Sequence, residues 1–298
     1  LSPDTRFAID AMRLAVFPSQ YLRNRSGNVF EPMKPTVVLF SIDGMRPDGL
    51  LQANTPNIDR LMSRGAYTMR ARSVMPSVTL PCHTSMMRGV DVPRHGITTN
   101  IFTPLARPVP SLFDVAHDNG LLAGSFYNWG ELRDLCNPWS LKVNYMVNDS
   151  HDANGDWNVA LGVAEYIEKR PLDLIFVYLG CTDSAGHDYG WMSEPYIAAI
   201  GDADRCIGRV LEALTDRGHE VIAFVGTDHG GHDRHHGTEA DEDMTIPWMV
   251  SGPGIPAGEI ASEVRIYDTA PTIASLLGLP LPREWDGRPI PEVVGQLE

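Results

Sequence analysis

Four histidines and two aspartates fall within the twelve residues Gly226-Thr-Asp-His-Gly-Gly-His-Asp-Arg-His-His-Gly237. Mixed carboxylate and imidazole donors at that density suit a divalent cation of the zinc type. A polar loop whose histidines bond backbone groups is the other reading of the same residues. Directly before them runs Val221-Ile-Ala-Phe-Val225, apolar throughout, which predicts a fully buried parallel strand. Ligand sites in open α/β sheets form beyond the carboxyl ends of such strands. Two further stretches read as buried strands that end in the same way: Thr36 to Ile42 leads into Asp43-Gly44, and Leu172 to Leu179 leads into Gly180-Cys-Thr-Asp-Ser-Ala-Gly-His187. Taken singly, Asp43 before Gly44 reads equally as a turn former, and Asp183 with His187 as an i,i+4 helix pair or a cap. Repeated at three strand ends, Asp43, Asp183 with His187, and Asp228-His229 with His236 converge on one sheet edge. That convergence predicts a two-metal site, with ions about 4 Å apart clamping a transferring oxyanion.

The elements that must position these residues follow from caps, breakers and periodicity. Thr55-Pro56 opens a helix that Gly65 closes, and residues 66–74 alternate as a strand. Pro81 starts the next helix, which sets Thr79 just ahead of a helix N-terminus, where backbone N–H groups favour anions. Ser111 to Asn119 is a capped amphipathic helix, followed by a strand from Leu121 to Tyr127. Residues 128–155 carry turn residues and two tryptophans, and read as an irregular lid or small insertion. Helices are expected over 157–169 and 194–216, a strand over 246–251, and a last helix capped by Asp268 and ended by Gly278. Strands alternating with helices predict an α/β fold with a doubly wound, mostly parallel sheet in one domain over residues 36–298. Residues 1–35 are expected to form an arm with a short helix.

Composition bounds the partners. The 298 residues are 43% hydrophobic and 21% charged, an ordinary globular balance. Lys and Arg number 24 against 38 Asp and Glu, a formal charge of −14, which argues against a nucleic acid polymer as partner. Bound divalent cations would still let an acidic chain own a pocket for a small anion. No apolar run approaches the ~18 residues of a membrane span. Cys82, Cys136, Cys181 and Cys206 are scattered, so reduced thiols are expected. With no signal pattern in residues 1–35, these cysteines favour the cytoplasm. Oligomeric state is not encoded in any motif.

Taken together, the motifs resemble a family. Val37-Val-Leu-Phe-Ser-Ile-Asp-Gly-Met-Arg-Pro-Asp48, Thr55-Pro-Asn-Ile-Asp-Arg-Leu61 and Pro76-Ser-Val-Thr-Leu-Pro-Cys-His83 are similar to segments of the alkaline phosphatase superfamily. Arg94-His-Gly-Ile-Thr-Thr-Asn100, Thr182-Asp-Ser-Ala-Gly-His187, Thr227-Asp-His-Gly230 and His236-Gly237 leading to Gly252-Pro-Gly254 continue the likeness in the same order. Its closest branch is the type I phosphodiesterase/nucleotide pyrophosphatase group. The resemblance implies a three-layer α/β/α sandwich and a two-zinc phosphoesterase. It places Asp43, Thr79, Asp228 and His229 on one zinc and Asp183, His187 and His236 on the other. Thr79 takes the nucleophile position, giving a phospho-threonine, and Asn100 holds an amide against a non-bridging oxygen. His232 is expected beside the site or in solvent, and His83, His95 and His235 outside the ligand set. Cys82 lacks the surroundings of a formylglycine sulfatase.

The chain also departs from that pattern. Only six residues separate His229 from His236, where nucleotide pyrophosphatases carry a long insertion, and Leu80 stands where an aromatic residue would form half of a base slot. The expected substrate is therefore a small phosphate or phosphonate ester. A phosphodiesterase is expected first, and a phosphonate hydrolase or phosphomonoesterase on the same site is the alternative. A phosphoryl transferase and a non-catalytic metal-binding scaffold are the readings from other classes.

Overall fold

A computed structural model describes residues 35–152 and 154–295. Within them eight strands form one sheet: β1 (Thr36–Ile42), β2 (Ala66–Arg72), β3 (Ala123–Tyr127), β4 (Val143–Met146), β5 (Leu174–Leu179), β6 (Val221–Gly226), β7 (Thr245–Ser251) and β8 (Gly258–Glu259). Their order is β4-β3-β5-β1-β6-β7-β2-β8. Among the described strands, β7 alone runs against its neighbours. The chain thus forms the mostly parallel, doubly wound α/β sheet that its alternation of strands and helices predicts.

Helices cover both faces. Along β1, Val37 and Leu39 enter one apolar core while Val38, Phe40 and Ile42 enter the other, because successive strand side chains point to opposite faces. A strand buried on both sides needs a mostly apolar run, and in Thr36–Ile42 the two polar side chains are hydrogen-bonded, Thr36 to Leu172 O and Ser41 to His83. The first core is closed by the helices Thr79–Arg88, Leu112–Asp118 and Thr269–Leu276. The second is closed by Gly155–Lys169 and Glu194–Asp216. In the longest of these, Tyr196, Ile200, Ala203, Ile207, Val210 and Leu214 are buried at alternating spacings of four and three, the stripe an amphipathic helix lays on a sheet.

Several local expectations are corrected. The stretch expected to be an irregular lid holds β4, which pairs in parallel with β3 and extends the sheet edge. A short helix, Pro47–Gln52, follows Asp43 after three intervening residues, and helix Thr79–Arg88 begins at Thr79 rather than at Pro81. Asp268 precedes the helix Thr269–Leu276 without capping it by its side chain. Its carboxylate instead accepts from Arg265 N at 2.8 Å and Arg288 N at 2.8 Å. The expected arm and short helix of residues 1–35 lie outside the described residues, apart from Pro35.

Candidate metal centre

The three strands whose ends carry the acidic residues are the adjacent β5, β1 and β6. Their register pairs Ile42 with Leu179 and Ser41 with Gly226, so the chain leaves all three at one level of the sheet. Asp43 follows β1, Thr227-Asp228-His229 follows β6, and β5 feeds through Gly180 into the helix Cys181–Tyr189. On that helix Asp183 and His187 stand four residues apart on one face, with Asp183 Oδ2 3.5 Å from His187 Nε2. The helix-pair and site readings of these two residues therefore share one geometry. Gly44 has a φ of +69°, and a Cβ there would sit 3.2 Å from Asp183 Oδ1. A side chain at that position would crowd the approach of Asp183 to Asp43.

Each candidate carboxylate of the central pair is anchored through one oxygen and bare at the other. Asp43 Oδ2 accepts from the Tyr178 hydroxyl, whereas Asp43 Oδ1 has no partner. Asp228 Oδ1 accepts from Gly44 N at 3.2 Å and Thr227 Oγ1 at 3.2 Å, whereas Asp228 Oδ2 has none. Asp183 Oδ1 is likewise buried without a hydrogen-bond partner. The imidazoles follow the same rule. Nδ1 of His187 lies 2.9 Å from Arg234 O, that of His229 2.8 Å from Gly230 O, and that of His236 2.8 Å from Ser77 O. A carbonyl only accepts, so each Nδ1 carries the proton and each Nε2 keeps its lone pair. Those lone pairs turn inward. His229 Nε2 is 3.4 Å from Asp43 Oδ1 and 3.3 Å from Asp228 Oδ2, and His236 Nε2 is 3.7 Å from Asp183 Oδ1. The His229 and His236 rings stack with centroids 3.9 Å apart.

Donor atoms of Asp43, Asp228 and His229 all lie within 4.8 Å of one another, and so do those of Asp183, His229 and His236. His187 stands at the rim of the second group, its side chain 41% exposed. Burial, then the neighbouring Asp228, pushes the Asp43 carboxyl up to about 7, with His229, His83 and Tyr178 opposing. Burial pushes Asp228 up to about 6. Burial, with Asp43 and Asp228 beside it, drives Asp183 well above the usual carboxylate range. Burial also lowers His236 to about 2, so its ring is neutral at physiological pH. Three crowded carboxylates with bare oxygens and three imidazoles held through Nδ1 form a donor set that lacks only positive charge. The residues fit divalent cations with nitrogen and oxygen coordination.

Thr79 joins this cluster. Its Oγ1 lies 3.3 Å from His229 Nε2, and the residue is buried at the first position of its helix. Asn100, on a loop, reaches the same place: its Oδ1 accepts from Leu80 N at 2.9 Å, one residue beyond Thr79. The structure thus brings Asp43, Thr79, Asp183, His187, Asp228, His229 and His236 together at one edge, with Asn100 beside Thr79.

Three further histidines have their ring nitrogens engaged by other partners. His95 bonds Ser85 Oγ and Ile97 N, and His232 Nδ1 lies 2.7 Å from Asp243 Oδ1. His83 donates Nδ1–H to Thr79 O at 2.8 Å and accepts from Ser41 Oγ at 2.9 Å, so neither nitrogen is free. It nevertheless lies under the site, with Nδ1 3.4 Å from Asp228 Oδ2. Cys82 is buried and its thiol is pushed up chiefly by burial.

Sequence reasoning missed Tyr178 and Trp191. Tyr178 sits inside an apolar strand where only its hydroxyl marks it as different. Trp191 donates Nε1–H to Gly44 O at 2.9 Å and meets His187 and His236 edge-on at 5.1 Å and 5.9 Å. The neighbouring glycines were its available signal: a Cβ at Gly231 would lie 2.2 Å from the Trp191 ring and one at Gly186 2.7 Å.

Residues 37–250 match the type I phosphodiesterase / nucleotide pyrophosphatase family. The chain belongs to this family. Ectonucleotide pyrophosphatase/phosphodiesterase family member 7 of Homo sapiens is 26% identical over 220 residues, a match covering 65% of this chain and 47% of that protein. The chain therefore spans about half the length of that relative. Among solved structures, murine ectonucleotide pyrophosphatase/phosphodiesterase 5, an inactive threonine-to-alanine variant in complex with AMP, superposes with a TM-score of 0.68 at 17% identity. That match covers 84% of this chain and 96% of the murine chain. Alkaline phosphatase PafA superposes with a TM-score of 0.74 at 14% identity, over 89% of this chain and 100% of its own. The sandwich is thus an alkaline-phosphatase-like fold.

Proposed function

We propose that this chain hydrolyses phosphate esters, phosphodiesters first, by passing the phosphoryl group through Thr79 in a centre for two divalent cations of the zinc type. The observation that carries the reading is Thr79 Oγ1 standing 3.3 Å from His229 Nε2, among carboxylate oxygens with no partner of their own. Asp43, Thr79, Asp228 and His229 would hold one cation, and Asp183, His187 and His236 the other. When bound, such ions supply Lewis acidity, which lowers the pKa of a hydroxyl or water and neutralises charge on a transferring phosphoryl group.

Thr79 attacks in line: its hydroxyl gives its proton to solvent, the Oγ–P bond forms as the P–O bond to the leaving alcohol breaks, and that oxygen leaves with a proton from solvent. Water then cleaves the phospho-threonine, restoring the hydroxyl and releasing the phosphorylated product. Asn100, its Oδ1 held by Leu80 N–H, keeps its amide N–H groups to donate to a non-bridging oxygen as charge grows there. The N-terminus of helix Thr79–Arg88 adds partial positive charge at the same point.

The diester is read first because residues 37–250 match the type I phosphodiesterase / nucleotide pyrophosphatase family. The test is zinc content of the purified chain alongside hydrolysis of a nitrophenyl phosphodiester, the matching monoester and a phosphonate monoester. Two zinc equivalents with diester preference, and loss of turnover in Thr79→Ala with the metal kept, are the expected results. Undiminished turnover in Thr79→Ala overturns the nucleophile. Metal without turnover on any ester favours the non-catalytic scaffold.

A further inference from the structure

The hairpin that carries His229 and His236 has few apolar anchors, yet both rings must hold their Nε2 atoms on target. Its fixed point is a residue outside the cluster. Asp243 is fully buried at the end of the acidic run Asp241-Glu-Asp243, in the short helix Asp241–Met244 just before β7. Its Oδ1 meets His232 Nδ1 at 2.7 Å, and its Oδ2 accepts from Thr238 N at 2.9 Å and Thr238 Oγ1 at 2.7 Å. Its carbonyl accepts from Gly230 N at 2.8 Å.

Each of these bonds is one step from a candidate ligand. Gly230 O is the acceptor that fixes His229 Nδ1. A Cβ at Gly230 would lie 2.0 Å from Glu242 O, so the close approach of this strand to Asp243 requires glycine there. His232 and Thr238 bracket His236, and His232 pairs with His235 across the turn through two backbone bonds of 2.9 Å and 2.8 Å. Thr238 O in turn accepts from Ser77 Oγ at 2.8 Å, while Ser77 O fixes His236 Nδ1. Ser77 lies two residues before Thr79. The Asp243 carboxylate therefore closes a circuit through Thr238 and Ser77 that sets His236 and the approach to the nucleophile, and the Asp243 backbone carbonyl, through Gly230, sets His229.

We propose that Asp243 is the positioning residue of this centre, holding the His229–Thr238 hairpin so that both imidazoles present Nε2 to the cation sites. It touches no substrate and contributes no ligand. The proposal rests on the metal-centre reading above, and the test separates the two. Full-length chain, stripped of metal, is titrated with Co2+ and followed by its visible absorption, which reports the number and symmetry of ligands. Thermal midpoints of the metal-free forms are measured in parallel. Asp243→Asn keeps the volume but removes the charge and one acceptor. Asp241→Asn, the control, alters an exposed neighbour paired with Arg72 at 2.8 Å.

Asp243→Asn is expected to weaken cobalt uptake by about 10–100-fold and to change the absorption bands, with the metal-free midpoint lowered by no more than its lost hydrogen bond accounts for. Asp241→Asn is expected to titrate as the wild type does. A wild type that loads two ions beside an Asp243→Asn variant with the same affinity and bands overturns the proposal alone. So does an affinity loss matched by an equal collapse of the metal-free fold, which would make Asp243 a stability residue. A wild type that takes up no cobalt overturns the metal-centre reading and this proposal with it.

Discussion

Tyr178→Phe isolates one bond in the centre. Tyr178 stands on β5 immediately before Leu179, is 2% exposed, and donates its hydroxyl to Asp43 Oδ2. Its ring packs edge-on against His83 with centroids 5.3 Å apart, a contact that phenylalanine keeps. The substitution therefore removes one donor to a buried carboxylate and little else. A hydrogen bond to an ionised group contributes about 1.5–3 kcal/mol, and burial leaves no water to replace it. In a chain of this size each kcal/mol moves the thermal midpoint by about 2–4 °C. At about 2 kcal/mol, the expected fall is roughly 4–8 °C, measured by scanning calorimetry on chelated and zinc-saturated protein. Because Asp43 is then free to rotate its bare oxygen away from His229, cobalt affinity should also drop about 10–100-fold. A variant with an unchanged midpoint and an unchanged cobalt titration would refute the idea that Tyr178 holds Asp43.

Asn100→Ala removes the amide beside Thr79 and should lower kcat about 100-fold with metal content unaltered, read by steady-state kinetics and metal analysis. Stripping the metal should destabilise the fold: two ions each held at about 100 times their dissociation constant contribute about 2.7 kcal/mol apiece, and calorimetry against free zinc should show the midpoint climbing with concentration. Away from the centre, Asp114→Ala should cost about 3 kcal/mol in denaturant unfolding. Asp114 accepts from Ser111 N, Asn137 N and Ser140 Oγ at 2.8, 3.2 and 2.6 Å, and lies 3.8 Å from the buried Arg88. Burial pushes the Asp114 carboxyl up, but hydrogen bonds from Ser140 and Ser111 and the Arg88 charge outweigh it, leaving it below the usual value. Its stabilisation is then present above the unfolded carboxyl pKa and is lost as the pH falls through the folded one, so acid unfolding of Asp114→Ala should show a weaker pH dependence than wild type.

The central strands and the acids at their ends were readable because burial on both faces leaves few polar positions inside a strand, so the acid that follows the mostly apolar run marks the exit. What escaped was set by contacts distant in the chain. Tyr178 looks like one more large residue in an apolar run until Asp43 is brought beside it by the β1–β5 register. Asp243 sits in a run of three acids that reads as a solvated face, yet it alone of the three is fully buried. Strand β4 has exposed Asn144, Tyr145 and Met146, so no period-two burial marks it, and only pairing with β3 defines it. The helix start was misjudged at Pro81 because proline is tolerated anywhere in the first turn, where N–H groups have no intrahelical partner. Asp268 looked like a cap, but its carboxylate is taken by Arg288 N, twenty residues on.

The pattern of satisfied and unsatisfied atoms argues for which side of the centre evolution has left to the solvent ion. Every imidazole is fixed through Nδ1 by a backbone carbonyl, and Asp43 and Asp228 are each fixed through one oxygen by protein donors. A protein burying carboxylates merely for packing would be expected to satisfy both oxygens, since an uncompensated buried charge costs several kcal/mol. Here the donors stop at the outer atom of each group, and the inner atoms of three carboxylates face one another and the Nε2 lone pairs. Repulsion among them is relieved by the protons that their raised pKa values retain, or by a cation between them. The same one-sided anchoring extends to Asn100, whose oxygen is tied to Leu80 N while its amide protons remain to be used. In the function proposed above, the fold supplies orientation and the bound cations supply charge, and that division would let the sheet edge hold still while phosphoryl transfer at Thr79 changes the charge in front of it.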